Sequence, residues 1–196
     1  LEGEGRVVAR YLTATGGDSA FRAERVVHTV ATVRGFGFTG RSESWTARPD
    51  RQFVTTALGP FSLVEGDDGT VAWRTDPTTN RVVRLADQDL HDARLSTWFA
   101  LERWAEVGQG GGEVSWLRRD RDSLSAYEVL AVQGPDPGSA RPRELWFSSA
   151  TGLLDREALH FVRGLGAHQV EQVADGAALD RLGRVAGEDR SRHRVA

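Results

Sequence analysis

Residues 26–34 (VVHTVATVR), 38–47 (FTGRSESWTA), 51–58 (RQFVTTAL), 61–66 (FSLVEG) and 70–75 (TVAWRT) are five consecutive runs of strand length, rich in Val, Thr, Phe and Trp. What separates them is turn chemistry. Arg48-Pro49-Asp50-Arg51, Gly59-Pro60 and Asp68-Gly69 each supply a backbone suited to a turn and unsuited to a ladder, and Asp-Gly is a strong signal for a tight hairpin. Connections this short force antiparallel neighbours, so the stretch from Val26 to Trp73 predicts a β-meander. Within the runs apolar residues alternate: Phe36 with Phe38, Phe53 with Thr55 and Ala57, Phe61 with Leu63, and Val71 with Trp73 share a face. Val54, Leu58 and Val64 fall on the opposite faces, which predicts a sheet covered on both sides or curved around something apolar.

Upstream, Val7, Val8, Tyr11 and Leu12 have helical spacing and predict a short amphipathic helix ending at Gly16-Gly17. Downstream, Asp76 to Asn80 turns the meander into one more strand, Arg81 to Leu85. From Asp87 to Ala105 the period becomes helical. Leu90, Ala93, Thr97, Trp98, Leu101, Trp104 and Ala105 fall on one face, with Leu95 and Phe99 behind. A helix apolar on two sides is either wrapped by the sheet or serves as a mobile cover. Gly108 to Gly112 breaks it. Strands return in EVSWL (113–117), AYEVLAV (126–132), RELWF (143–147) and LLDREALHFV (153–162). Beyond Arg163, Gly, Ala and Arg dominate and alternation fades. The expected organisation is therefore one domain over 1–162 and a weakly ordered tail over 163–196.

The 196 residues are 39% hydrophobic and 27% charged, the balance of a globular domain with a substantial core. No apolar run is long enough to cross a bilayer as a helix. A net charge of −3, with all 25 basic residues arginine, gives no clustered footprint for nucleic acid. There is no Cys, which removes disulfides, thiolate metal sites and Cys nucleophiles. There is also no Met, so Leu1 is read as following a leader or an earlier segment.

The motifs that would announce catalysis dissolve on inspection. Gly35-Phe36-Gly37-Phe38-Thr39-Gly40 matches G-x-G-x-x-G, but a strand follows it where a dinucleotide site needs a helix N-terminus for the pyrophosphate. Glu65, Asp67, Asp68 and Asp76 lack the alternate-ligand spacing of a calcium loop and read as hairpin tips. His28, His91, His160, His168 and His193 form no H-x-H or H-x-x-x-H pair. No G-x-S-x-G elbow occurs, and Asp175-Gly176-Ala177 lacks the hydroxyl-bearing neighbour of an aspartic-protease motif. The expectation is a protein without a catalytic centre, metal or cofactor.

Six Trp and eight Phe remain to be explained, and composition alone favours a core of large rings over a lined cavity. Particular phrases shift that balance. Tyr11 to Gly17 (YLTATGG), Trp45 to Arg51 (WTARPDR), Val64 to Trp73 (VEGDDGTVAW), Leu145 to Phe147 and Thr151 to Leu154 together resemble the periplasmic lipoprotein-carrier, or outer-membrane lipoprotein-sorting, superfamily of bacteria. They also resemble the domain that precedes a retropepsin-like aspartic protease in some exported bacterial proteins. The resemblance implies an α+β fold, a single curved antiparallel sheet forming a half-open barrel around one or two helices, with an apolar cavity for acyl chains. It implies an exported protein whose partner is a lipid or an acylated protein; with the absent catalytic motifs and the charge balance, the expectation is a non-enzymatic protein that binds no nucleic acid, does not span a membrane and has at most peripheral membrane contact.

The alternatives are an accessory domain cut off before a protease half, and an interaction module with a filled interior. Under the carrier reading Phe36, Phe38, Trp45, Phe53, Phe61, Leu63, Trp73, Trp98, Leu101 and Trp104 are the expected cavity lining. The helix Asp87 to Ala105 is expected against the concave face of roughly nine to eleven strands, and if Phe36, Phe38, Phe53, Phe61 and Trp73 point inward it is a plug.

Overall fold

The computed structural model describes residues 3–23, 26–35, 37–135, 142–159 and 172–173. Helix α1 (Gly3–Ala14) and the one-and-a-half-turn α2 (Asp18–Ala23) precede six strands: β1 (Val26–Gly35), β2 (Phe38–Ala47), β3 (Arg51–Leu58), β4 (Phe61–Asp67), β5 (Ala72–Thr75) and β6 (Val82–Arg84). Helix α3 (Asp87–Ala100) and two 3₁₀ segments, Arg103–Ala105 and Val107–Gly111, lead to β7 (Glu113–Arg121), β8 (Ala126–Gln133), β9 (Arg143–Ser148), β10 (Leu154–Leu159) and β11 (Gln172–Val173). Every pairing is antiparallel and nearly every neighbour in sequence is a neighbour in space.

The expected α+β class, antiparallel with few helices, is the class observed, and the sheets are open and not closed into a barrel. Its continuity differs from the single sheet expected. Among the described residues the ladder is broken between β6 and β7, giving a six-stranded sheet β1 to β6 and a five-stranded sheet ordered β11-β10-β9-β8-β7. The physical reason is the crossing segment: 28 residues lie between Arg84 and Glu113, and they run as α3 and 3₁₀ turns that occupy the inner side instead of laying β7 beside β6. The expected plug helix is also shorter than Asp87 to Ala105, because Glu102 adopts a left-handed φ of 54° and restarts the chain as 3₁₀. The strand expected over 113–117 continues to Arg121 through a register shift between Trp116 and Arg118.

The core sits on the five-stranded sheet. Val114, Leu130, Val132, Leu145 and Phe147 meet Val7 and Tyr11 of α1, Leu95, Trp98 and Phe99 of α3, and Trp104. Tyr11, Trp104 and Phe147 form a triangle of rings with centroids 5.2, 5.5 and 5.6 Å apart, and each is at most 1% exposed. Each such side chain contributes about 1.5 to 3 kcal/mol relative to leaving it in water. Helix α1 is fixed there by Arg6 to Glu128 at 2.8 Å and Arg10 to the Ser149 carbonyl at 2.9 Å. Glu128 tolerates burial because Arg6, the Trp116 indole N–H and Arg119 all donate to it; burial alone would raise its pKa, and these three bonds bring it below the ordinary value.

The pair Gln172–Val173 bonds to Arg156–Glu157 and so adds a strand within the segment read as a weakly ordered tail. The rest of 163–196 lies outside the described residues.

Candidate binding site

Register fixes which side chains share a face of the six-stranded sheet. Leu58 pairs with Phe61, Thr56 with Leu63, Val54 with Glu65 and Gln52 with Asp67, while Gly35 pairs with Phe38 and Gly40 with Leu58. Residues paired across a ladder point to the same side, so Phe38, Val54, Leu58, Phe61 and Leu63 stand on one face together with Gln52 and Asp67. Helix α3 identifies this as the inner face. Thr97 lies 3.2 Å from the Gln52 amide oxygen, and Arg74, which also points inward, donates to Asp89 at 2.7 Å.

The cover is partial. Near the α3 contact Thr46, Asp67 and Ala72 are buried, whereas at the opposite end Phe61 is 56% and Phe38 41% exposed, their rings edge to face at 6.3 Å. Val33, Val54, Leu58 and Leu63 around them are half-buried. Among the described residues the inner face thus has a half closed by α3 and a half whose apolar side chains are partly exposed. On the boundary between them Glu65 faces inward opposite Arg74. Burial pushes its carboxyl above the ordinary value, and the attraction of Arg74 only partly opposes this.

At the α3 end a cleft of about 320 Å³ lies beneath the two hairpin turns. Trp98 and Leu101 contribute its apolar wall, and Asp50, Asp67, His91, Arg94 and Arg103 its polar one. The Gly-rich run that ends the helical pattern forms a cradle for Trp98. The indole N–H donates to the Gly110 carbonyl at 3.1 Å, and a Cβ on Gly112 would stand 2.6 Å from the indole ring.

The ten expected lining residues therefore separate into distinct environments. Phe38, Phe61 and Leu63 are on the inner face; Trp98 and Leu101 edge the cleft; Trp104, 1% exposed, is sealed in the core. Phe36 lies outside the described residues. Trp45, Phe53 and Trp73 stand on the outer face, which corrects the expectation that Phe53 and Trp73 point inward. Trp45 pairs with Phe53, Phe53 with Gly66, and Gly66 with Trp73, and this row has the opposite parity to Phe61. Missed as candidates were Val54 and Leu58, whose inward direction follows from the two-residue turn Gly59-Pro60 that sets Leu58 opposite Phe61, and Val33, which pairs with Gly40 opposite Leu58.

The G-x-G-x-x-G stretch is the β1–β2 connection, with Gly35 paired to Phe38 and no helix after it. The acidic tips serve turns: Asp68 accepts from the Thr70 and Val71 amides, and Asp76 from those of Thr78 and Thr79. Among the described residues no cluster of three or more His, Asp or Glu is placed to hold a metal ion, and no helix is long and apolar enough to cross a membrane.

No protein-family model and no curated protein matches the chain. Solved structures do. A DUF1329 family protein from Desulfovibrio piger is similar over 82% of this chain and 74% of its own, with a TM-score of 0.45 and 7% identity. An outer membrane lipoprotein-sorting protein domain from Vibrio parahaemolyticus matches over 80% and 74%, with a TM-score of 0.44 and 11% identity. A LolA superfamily protein from Nitrosomonas europaea matches over 77% and 78%, with a TM-score of 0.40 and 14% identity.

Proposed function

We propose that this chain is a non-enzymatic, exported binding protein that holds a lipid, or the acyl chain of a lipoprotein, against the inner face of the six-stranded sheet. The observation that supports this reading is the partly exposed apolar half of that face. Phe38 and Phe61 stand where α3 does not reach, flanked by Val33, Val54, Leu58 and Leu63. Aromatic and branched side chains held on a ladder form a preset apolar surface that does not collapse when empty. A methylene chain laid along it gains about 0.8 kcal/mol per buried CH₂, so affinity climbs with chain length until the surface is covered. Selectivity among chains is correspondingly weak, because such a surface reads length and not functional groups.

Arg94 lines the cleft at the α3 end beside its apolar wall, a setting for the polar end of such a ligand, while Arg103 is held by Glu106 and the Pro49 carbonyl. The test is uptake of an environment-sensitive fatty-acid probe by the purified chain, with mass spectrometry of its organic extract. Saturable uptake that Phe38→Ser with Phe61→Ser abolishes is the expected result; no uptake and a lipid-free extract would refute the proposal.

A further inference from the structure

The two sheets finish their outer faces differently. On the five-stranded sheet, Trp146 and Tyr127 stand outward with arginines laid across them: Arg118 is 5.2 Å from the Trp146 ring centre and Arg156 is 4.8 Å from that of Tyr127. Each arginine is in turn neutralised, Arg118 by both oxygens of Glu144 at 3.0 and 2.8 Å and Arg156 by Asp122. Beneath them Val129 is fully buried and Tyr127 is 4% exposed. This face is roofed by its own chain.

On the six-stranded sheet the outer face has no such roof among the described residues. His28, Trp45, Phe53 and Trp73 form one row across the strands. His28 lies flat on Trp45 at 4.5 Å, and centroids of 5.6 and 6.1 Å carry the row on to Phe53 and Trp73. The row closes over β4 because residue 66 is Gly: a Cβ there would stand 2.9 Å from the Trp73 indole. Phe53 is 38% exposed, and on the same face so are Val26 (62%), Val30 (37%) and Val82 (67%). Arg41, Arg51 and Arg84 share this side and are exposed. Its carboxylate, Glu43, is already engaged by His28 at 3.1 Å and Arg41 at 3.0 Å, and Asp68 lies beyond the strands in the turn near Arg51.

We propose that this outer face docks on an anionic lipid bilayer. Indoles and arginines are side chains with an apolar body and a polar tip, suited to the headgroup boundary, and the exposed valines add surface that only an apolar phase rewards. The Arg51 and Arg84 guanidinium groups at the rim, with Arg41 paired to Glu43, complement anionic headgroups on a chain whose overall charge is −3. The docking face is opposite the proposed acyl surface and is independent of it.

The test is co-sedimentation of the full chain with vesicles of phosphatidylcholine alone and of phosphatidylcholine mixed with phosphatidylglycerol. Expected is binding to the mixed vesicles that weakens with salt, weakens about tenfold in Phe53→Ser and weakens about fivefold in Arg84→Gln at low salt. Leu124→Ser, at a turn position 93% exposed, should leave it unchanged, as Phe53→Ser should leave fatty-acid uptake. Absence of binding to anionic vesicles, an equal loss in Leu124→Ser, or self-association that Phe53→Ser abolishes in place of vesicle binding would overturn the proposal, the last by making a second copy the occupant.

Discussion

The hydroxyl of Tyr11, in the first helix, donates to the Glu102 carboxylate at 2.6 Å, joining α1 to the left-handed residue at which the helical run after α3 breaks. The bond crosses 91 positions of sequence and lies against the Tyr11, Trp104 and Phe147 rings, so it fixes where the crossing segment turns toward the five-stranded sheet. Tyr11→Phe keeps the ring and removes the donor from a residue with no exposed surface. The expected cost is about 1.5 to 3 kcal/mol, the range for a hydrogen bond to a charged group. Chemical denaturation measures it, and a change below about 0.5 kcal/mol would show that the bond does not hold the turn.

Trp98 is 7% exposed, meets Phe99 edge to face at 4.8 Å and is cradled by Gly110 and Gly112. Trp98→Ala is expected to cost about 3 to 5 kcal/mol, the range for emptying a packed aromatic site. A smaller loss accompanied by greater probe uptake would mean that this end opens to ligand and that α3 is a removable plug.

Much of this architecture was legible because turn chemistry and alternation agree. Asp68-Gly69, Gly59-Pro60 and Arg48-Pro49-Asp50 sit where the chain reverses, and the runs between them are the strands. The face assignment was equally available but needed one more step. A two-residue turn sets Leu58 opposite Phe61, and counting back along β3 puts Phe53 on the other side. Hydrophobicity misdirects here, since Trp45, Phe53 and Trp73 are large and apolar yet stand outward. The break between β6 and β7 had no local signal, because it depends on where α3 docks. Nor did composition distinguish Trp104, sealed beside Tyr11, from Phe61, 56% exposed.

Acid stability carries a second signature. The Leu124 and Ser125 amides, and then Arg156, hold the Asp122 carboxyl down to about 2 from its ordinary 3.8. A carboxylate lowered in the fold stabilises it above the unfolded value and loses that contribution as pH falls toward the folded value. Stability should therefore decline between about 3.8 and about 2 in part through this group, and Asp122→Asn should flatten that decline. Unfolding curves identical to those of the unchanged chain across this window would count against the assignment.

Glu65 has the opposite sign. Burial raises its carboxyl above the ordinary value despite Arg74, so its charged form is disfavoured in the fold and stability is lost as pH rises through the raised value. Glu65→Gln is accordingly expected to raise the melting temperature at neutral pH and to strengthen probe binding by removing a charge from the boundary of the apolar half. A lower melting temperature would show that the attraction to Arg74 outweighs the burial.

The most direct measurement of the central claim is a titration of the unchanged chain, the pair Phe38→Ser with Phe61→Ser, and Trp45→Ala with a fatty-acid probe, each checked for its melting temperature. If the inner face is the acyl surface, the Ser pair loses uptake while keeping its fold, since Phe38 and Phe61 are 41% and 56% exposed, and Trp45→Ala retains uptake. Uptake retained by the Ser pair and lost in Trp45→Ala, or no uptake by the unchanged chain, would contradict it.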